Sequence, residues 1–247
     1  MNNKEIESNT IQNTKKLLII IRHGERIDRI GEIPKCGIMN PELTEEGKRQ
    51  SFEASKIIIK NLKKYGMDDI SPNLIQIRSS PYMRTIQTSV QLIKGLNLIF
   101  SNDINDKINK LNKVHIDFGL RKRIKPNKKF KKEDFIYYSI DKYANFDEEI
   151  KNVEFTGEKG EFPLNEETKE QCEKRSIMYV NNTLKKEIDD KSNINRIFII
   201  IGHRGPLKYI LKKLGYNLVN KKIFEYCSEF FFDISNGIDN SIFLDNC

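Results

Sequence analysis

Two of the three histidines of this 247-residue chain stand beside arginine at the end of a short aliphatic run. Arg22, His23, Gly24, Glu25 and Arg26 follow LLIII (17–21), and Gly202, His203 and Arg204 follow IFIII (197–201). A third run, LIQI (74–77), leads into Arg78, Ser79 and Ser80, with Arg84 one helical turn further on. Taken singly, each residue has an ordinary explanation as a structural histidine or a surface ion pair, worth little to stability. Taken together they suit a phosphoryl group. Guanidinium forks bind phosphate oxygens in pairs, and amides at a helix start add positive potential. A neutral imidazole can attack phosphorus and carry the group as an N-phosphoryl intermediate. Nearby cations lower the imidazole pKa and keep it unprotonated. Gly24 is expected to let the chain turn sharply beside His23.

Such residues meet only if the runs are neighbouring strands. Short β-branched runs without a polar partner face suit strands buried on both sides, as in a parallel sheet covered by helices. In open α/β sheets the residues just beyond the carboxyl ends of the strands converge on one crevice. Helices are predicted between the strands. Thr44 is the N-cap of the first, with Ala54, Ile58, Leu62 and Tyr65 on one face. In the second, Ser80 caps and Pro81 opens the helix, Met83, Ile86, Val90 and Ile93 form the stripe, and Gly95 stops it. A third is predicted over about 165–188 with Ile177, Val180, Leu184 and Ile188 inward. In the fourth, Pro206 sits at the start, Leu207, Ile210, Leu211 and Leu214 face the core, and Gly215 caps the end. The fold class is therefore α/β with three layers, α/β/α, a mostly parallel sheet and helices on both faces. Residues 1–16 read as a polar N-terminal tail and 17–247 as one domain. An insertion at about 118–164, rich in aromatics, is longer than an ordinary connection and is expected to be lid-like.

Four segments, in order, resemble the motifs of the histidine phosphatase superfamily, the phosphoglycerate mutase-like proteins. RHGER (22–26) resembles its signature, and LTEEGKRQ, with Leu43, Thr44, Gly47 and Gln50, its Leu-Thr-x-x-Gly-x-x-Gln helix start. SSPYMRTIQTS resembles its Ser-Pro-x-x-Arg-x-x-Gln-Thr element, and IIIGHRGPL its second-histidine element. The resemblance implies a phosphoglycerate mutase-like fold, His23 as the phosphorylated nucleophile, a phosphate pocket of Arg22, Arg26, Arg84 and His203, and a catalytic part for His203. No metal is expected, because the cysteines lack zinc-site spacing, and no cofactor is expected. VHIDFGLRK resembles the Glu-x-Gly-Leu element of the branch of T-cell-signalling suppressor and steroid-phosphate phosphatases. That implies Asp117 as proton donor to the leaving oxygen, with Asp in place of Glu; Glu25 is the alternative. His115 belongs on the same strand face as Asp117. True mutases follow the first motif with Ser and a Trp-Asn pair, whereas this chain reads RHGERID and contains no Trp. Hydrolysis of phosphate monoesters is the expected activity. Mutase-type or bisphosphatase chemistry on a small metabolite, and a non-catalytic phosphate- or protein-binding role, are the alternatives.

Composition restricts the partners. The chain is 38% hydrophobic and 32% charged, with a net charge of +8. Eight basic residues and no acid lie in RKRIKPNKKFKK (121–132), and without them the rest holds 35 basic against 35 acidic residues. No fold-wide basic face follows, so no nucleic-acid partner is expected. The run suits either a solvated loop or a clamp for extra negative charge on a phosphorylated small molecule or phosphopeptide. No segment has the length of a signal peptide core or membrane span, and a soluble, cytoplasmic protein is expected. Cys36, Cys172, Cys227 and Cys247 are scattered without zinc-site spacing, which predicts reduced thiols. A homodimer is compatible with the resemblance.

Overall fold

A strand covered on both faces needs apolar side chains on both, and the three aliphatic runs meet that condition. The computed structural model describes residues 14–101, 110–126, 139–161, 163–189, 194–218 and 224–244. Its strands are β1 (Lys16–Arg22), β2 (Ile75–Ser79), β3 (Lys113–Ile116), β4 (Glu154–Gly157), β5 (Arg196–Gly202), β6 (Glu229–Asp233) and β7 (Ile242–Leu244). They form one sheet in the order β4-β3-β2-β5-β1-β6-β7. From β4 to β1 every neighbour is parallel; β6 is antiparallel to β1, and β7 to β6. β5 lies between β1 and β2, with Ile19 and Ile77 both opposite Ile199.

Alternation along β1 sends its side chains to two separate cores. Leu17, Ile19 and Ile21 pack with Ala54, Ile58 and Leu62 of α1 (Glu45–Lys64) and with Met83, Ile86, Val90 and Ile93 of α2 (Met83–Ser101). Leu18 and Ile20 pack on the other face. There the cover is α3 (Lys169–Met178), a π-helical turn (Tyr179–Leu184), α4 (Lys185–Ile188) and α5 (Arg204–Lys213), through Val180, Leu184, Ile188, Leu207, Ile210 and Leu211. The three-layer, mostly parallel architecture is the one expected.

Several local expectations are corrected. Gly95 does not end the second helix but lies inside α2. A Cβ there would overlap Ser55 and approach the Phe52 carbonyl oxygen to 2.8 Å, so the glycine is what lets α1 and α2 pack closely. Ser80 does not cap that helix either. The helix begins at Met83, whose N–H is accepted by the Asn40 side chain at 2.9 Å, and the Ser80 hydroxyl is bonded elsewhere. The helix predicted over 165–188 starts after Thr168, which forms a capping box with Gln171, and the π turn shifts its inward face so that Tyr179 is buried. Thr44 does cap α1, accepting the Gly47 N–H at 2.8 Å. Gly215 does follow α5 at φ +81°.

Residues 1–13 of the polar tail and 127–138 and 162 of the insertion lie outside the described residues. The described part of the insertion supplies edge strand β4 and buries Ile140, Tyr143, Ile150 and Val153 in the α1/α2-side core. Tyr143 donates its hydroxyl to the Pro81 carbonyl at 2.6 Å, tying this segment to the loop before α2. In the basic run, 127–132 lie outside the described residues, and Arg121 donates to Glu167 at 2.8 Å. Cys36, Cys172 and Cys227 are buried free thiols; Cys247 is outside the described residues.

Candidate active site

The chain leaves β1 through α1 toward β2, and leaves β5 through α5 toward β6, on the opposite side. Adjacent parallel strands whose connections diverge leave a crevice beyond their carboxyl ends. His23 and His203 stand there, one residue past β1 and one past β5, with ring centroids 5.3 Å apart. The His23 N–H donates to the Gly202 carbonyl at 3.2 Å, which locks the two strand ends together.

His23 is buried, and its Nδ1 lies 2.8 Å from the Gly24 carbonyl oxygen. A carbonyl only accepts, so Nδ1 carries the proton and Nε2 holds the lone pair. Burial and then the Arg84 charge hold this imidazole well below the ordinary histidine pKa, with Arg22 and Arg26 adding to the effect. The result is a neutral imidazole whose Nε2 carries the lone pair. Gly24 is needed for a reason other than the sharp turn expected: its φ is not positive, but a Cβ there would overlap the Gly47 carbonyl oxygen. The N-terminus of α1 therefore presses on the loop after β1, and the Gly24 N–H is accepted by Thr88 at 3.1 Å.

His203 is oriented from both ring nitrogens. Arg84 Nη2 donates to Nδ1 at 3.2 Å, which leaves the proton on Nε2 to be donated to Ser80 Oγ at 2.8 Å. Burial and the Arg84 cation again keep the ring well below its ordinary pKa. Arg84 is itself fully buried, with no ion-pair carboxylate among the described residues. Burial, and next the Arg26 cation, push its pKa down to about 9. Its Nε and Nη1, and Nε of Arg22, are buried donors without a hydrogen-bond partner. Such groups are costly unless an acceptor meets them.

Arg22 projects from the last position of β1, donates Nη1 to the Phe224 carbonyl, and lies 4.2 Å above the ring of Tyr226. Arg26 is close enough for its charge to act on both His23 and Arg84, and is paired with Asp28, Nε to Oδ1 at 2.9 Å. Arg22, His23, Arg26, Arg84 and His203 are thus brought together.

Asp117 is not. Arg78 Nε and Nη2 donate to its two oxygens at 2.7 and 2.9 Å, and Tyr179 donates to Oδ2 at 2.9 Å. With Arg78, His115 and Tyr179 it lines a separate cavity of about 510 Å³ that includes neither His23 nor His203. Strand parity is the reason. Arg78 is opposite His115 in the β2/β3 register, and Asp117, two residues on, points to the same face. A carboxylate engaged this way serves a buried ion pair, and its described partners are Arg78 and Tyr179, not the residues around His23. Glu25 is also engaged structurally: its carboxylate accepts the Thr44 hydroxyl at 3.1 Å, and its carbonyl accepts the Thr44 N–H at 3.0 Å.

Ser80, expected both at the strand-end crevice and as a helix cap, serves only the crevice, through His203. Two contributors escape the sequence reading. Tyr82, whose ring meets His203 edge-on at 5.0 Å, carried no polar pattern. Tyr226, 5.9 Å from the His23 ring, precedes an antiparallel strand, which brings its start, not its end, to the crevice. The aromatic run FFF (230–232) marks a buried strand, but its direction is not legible from sequence.

No protein-family model matches the sequence, and no curated protein does. Solved structures match its fold. The ecdysone phosphate phosphatase of Bombix mori, in complex with tungstate, is 16% identical over 93% of this chain and 92% of its own, with a TM-score of 0.57. Bacillus stearothermophilus YhfR is 16% identical over 94% and 95%, at 0.51, and a mycobacterial glucosyl-3-phosphoglycerate phosphatase 16% over 93% and 97%, at 0.50. The chain has the phosphoglycerate mutase-like α/β fold. Among the described residues no helix is long and apolar enough to cross a membrane, and no group of three or more His, Cys, Asp or Glu could hold a metal ion.

Proposed function

We propose that this chain is a histidine phosphatase that hydrolyses phosphate monoesters through a phosphoryl group carried on Nε2 of His23. The observation that carries the reading is Arg84: a fully buried guanidinium, touching His203, with two donors unmatched and no ion-pair carboxylate among the described residues. A dianionic phosphoryl group supplies the missing charge and acceptors at once. Arg22 and Arg26 add positive potential on the nucleophile side.

In this mechanism the phosphoryl oxygens are held by Arg84 and Arg22, and Nε2 of the neutral His23 bonds to phosphorus as the bond to the ester oxygen breaks, the oxygen leaving as an alkoxide or phenolate that takes a proton from an acid residue or from water. Charge on the transferring group is spread over its oxygens, and fixed cations stabilise it most in the transition state. His203, held by Arg84 and Ser80, contributes a further polar wall. Water then displaces the imidazole and regenerates the enzyme. The fold shared with an ecdysone phosphate phosphatase and a glucosyl-3-phosphoglycerate phosphatase is in keeping with this activity. A phosphorylated small molecule is the substrate class favoured.

The test uses an aryl phosphate with a good leaving group, because that reaction needs little help from a proton donor and reports on the nucleophile alone. Wild type is expected to turn over the ester, and His23→Ala to lose at least about a thousandfold in kcat, as removal of a covalent nucleophile does. Turnover of His23→Ala within tenfold of wild type would overturn the proposal.

A further inference from the structure

Arginines that must bind phosphate pose a problem of their own. A long cation needs to be held still, yet a carboxylate that held it would occupy the N–H groups and cancel the charge meant for the ligand. In this crevice two guanidinium groups are held differently. The Arg22 guanidinium carbon lies 4.2 Å from the centre of the Tyr226 ring, and that of Arg84 lies 4.7 Å from the centre of the Tyr82 ring. Neither arginine has an ion-pair carboxylate among the described residues. An aromatic face attracts a cation through its quadrupole and leaves the in-plane N–H donors unspent.

The turn carrying Tyr226 is built around this contact. β6 runs against β1, so the turn before it meets the end of β1. Arg22 donates its N–H to Ser228 at 3.3 Å and accepts the Cys227 N–H at 3.1 Å, and its side chain donates to the Phe224 carbonyl. Cys227 adopts φ +54° and is the one described non-glycine residue at positive φ. Its thiol is buried, 3.5 Å from the Ser51 hydroxyl, so the backbone strain is held in place by packing. Strain of this kind persists where surrounding structure enforces it, commonly at functional sites. Here it lies directly after the residue whose ring covers Arg22 and sits 5.9 Å from the His23 ring.

We propose that Tyr226 is a positioning residue of the phosphate site: its ring fixes the Arg22 guanidinium beside His23 while leaving the unmatched Nε–H for a phosphoryl oxygen, as Tyr82 leaves Nε and Nη1 of Arg84. The inference rests on the phosphate-site reading above. Preorganising a flexible cation lowers the entropic cost of binding without adding a contact to the ligand.

The test is binding of inorganic phosphate, followed by calorimetry on the full chain, with KM and kcat for an aryl phosphate alongside. Tyr226→Phe keeps the face and should bind phosphate within about twofold of wild type. Tyr226→Leu keeps apolar bulk without the quadrupole and should bind about five- to tenfold more weakly, the size of one cation–π contact. KM should rise by the same factor, with kcat changed less than about twofold. Tyr226→Glu should bind more weakly than Tyr226→Leu, because a carboxylate holds Arg22 but consumes its donors. Equal binding by wild type and Tyr226→Leu, equally weak binding by the Phe and Leu variants, or tighter binding by the Glu variant would each overturn the inference. Melting curves identify any variant that fails to fold, and the Phe/Leu pair, both apolar, then decides when its melting temperatures agree. Failure of wild type to bind phosphate at all would instead overturn the phosphate-site reading itself.

Discussion

Replacing Asp117 by Asn should unfold the protein more easily and leave its chemistry alone. Arg78 and Asp117 are 1% and 6% exposed in their side chains, and two of the three guanidinium nitrogens donate to this carboxylate. Burial works against the Arg78 cation, but the hydrogen bonds and charge of Asp117 and its neighbours outweigh that and raise its pKa above the ordinary range. The nearest other carboxylate, Glu187, is 3.7 Å from Nη1 and half exposed. Asn would keep one acceptor oxygen but turn an NH₂ toward a guanidinium donor and strand the positive charge. Breaking a buried pair from one side costs about 3–5 kcal/mol, and with an acceptor retained the lower end, about 3 kcal/mol, applies. With a urea slope of about 2 kcal/mol per molar, the unfolding midpoint should fall by about 1.5 M. The double variant Arg78→Met with Asp117→Leu should recover most of that loss, since it removes both charges together. Circular dichroism in urea gives the midpoints, and turnover of aryl phosphates spanning leaving-group pKa values gives the chemistry. An unchanged midpoint combined with rates that collapse only for poor leaving groups would refute the reasoning and return Asp117 to the part of proton donor.

Other perturbations have equally definite outcomes. His23 and His203 are held well below the ordinary histidine pKa by burial and by Arg84, whereas in the unfolded chain they take up protons near pH 6.5. Their contribution to stability is complete above that pH and is lost as pH falls through it, at up to about 2.7 kcal/mol per pH unit for the pair. Urea midpoints between pH 8 and 5 measure this, and His203→Asn should flatten the slope. Gly95→Ala should lower Tm despite its better helix propensity, because overlap with Ser55 and the Phe52 carbonyl costs about 1–3 kcal/mol against a gain of at most about 1. Thr44→Ala should cost about 1 kcal/mol of stability by uncapping α1, read from the same urea curves.

The central strands were legible because burial on both faces forces a continuous aliphatic run, as in β1 and β5, and the site residues lie immediately past those runs. Edge strands gave no such signal. KVHI of β3 and EFTG of β4 are only four residues long and mix polar with apolar side chains, and β6 hides its polarity of direction, which no local pattern encodes. Arg78 follows an apolar run and so reads as part of the crevice, yet it is still within β2 and faces the other way. Asp117 shares that face for the same reason of parity. Glycines were similarly ambiguous: Gly95 and Gly24 serve close approach of neighbouring helices and loops, a property of partners remote in sequence. Tyr226 reached the site only because an antiparallel strand begins where the parallel ones end.

The covalent phosphoryl group on His23 is tested most directly by rapid acid-free quenching during turnover of an aryl phosphate, followed by digestion at alkaline pH and mass spectrometry of the peptide carrying RHGER. Phosphohistidine survives alkali, so the peptide should appear phosphorylated on His23 in wild type and in Asp117→Asn, together with a burst of aryl alcohol approaching one equivalent. Turnover without phosphate on this peptide, or with phosphate on another residue, would contradict it.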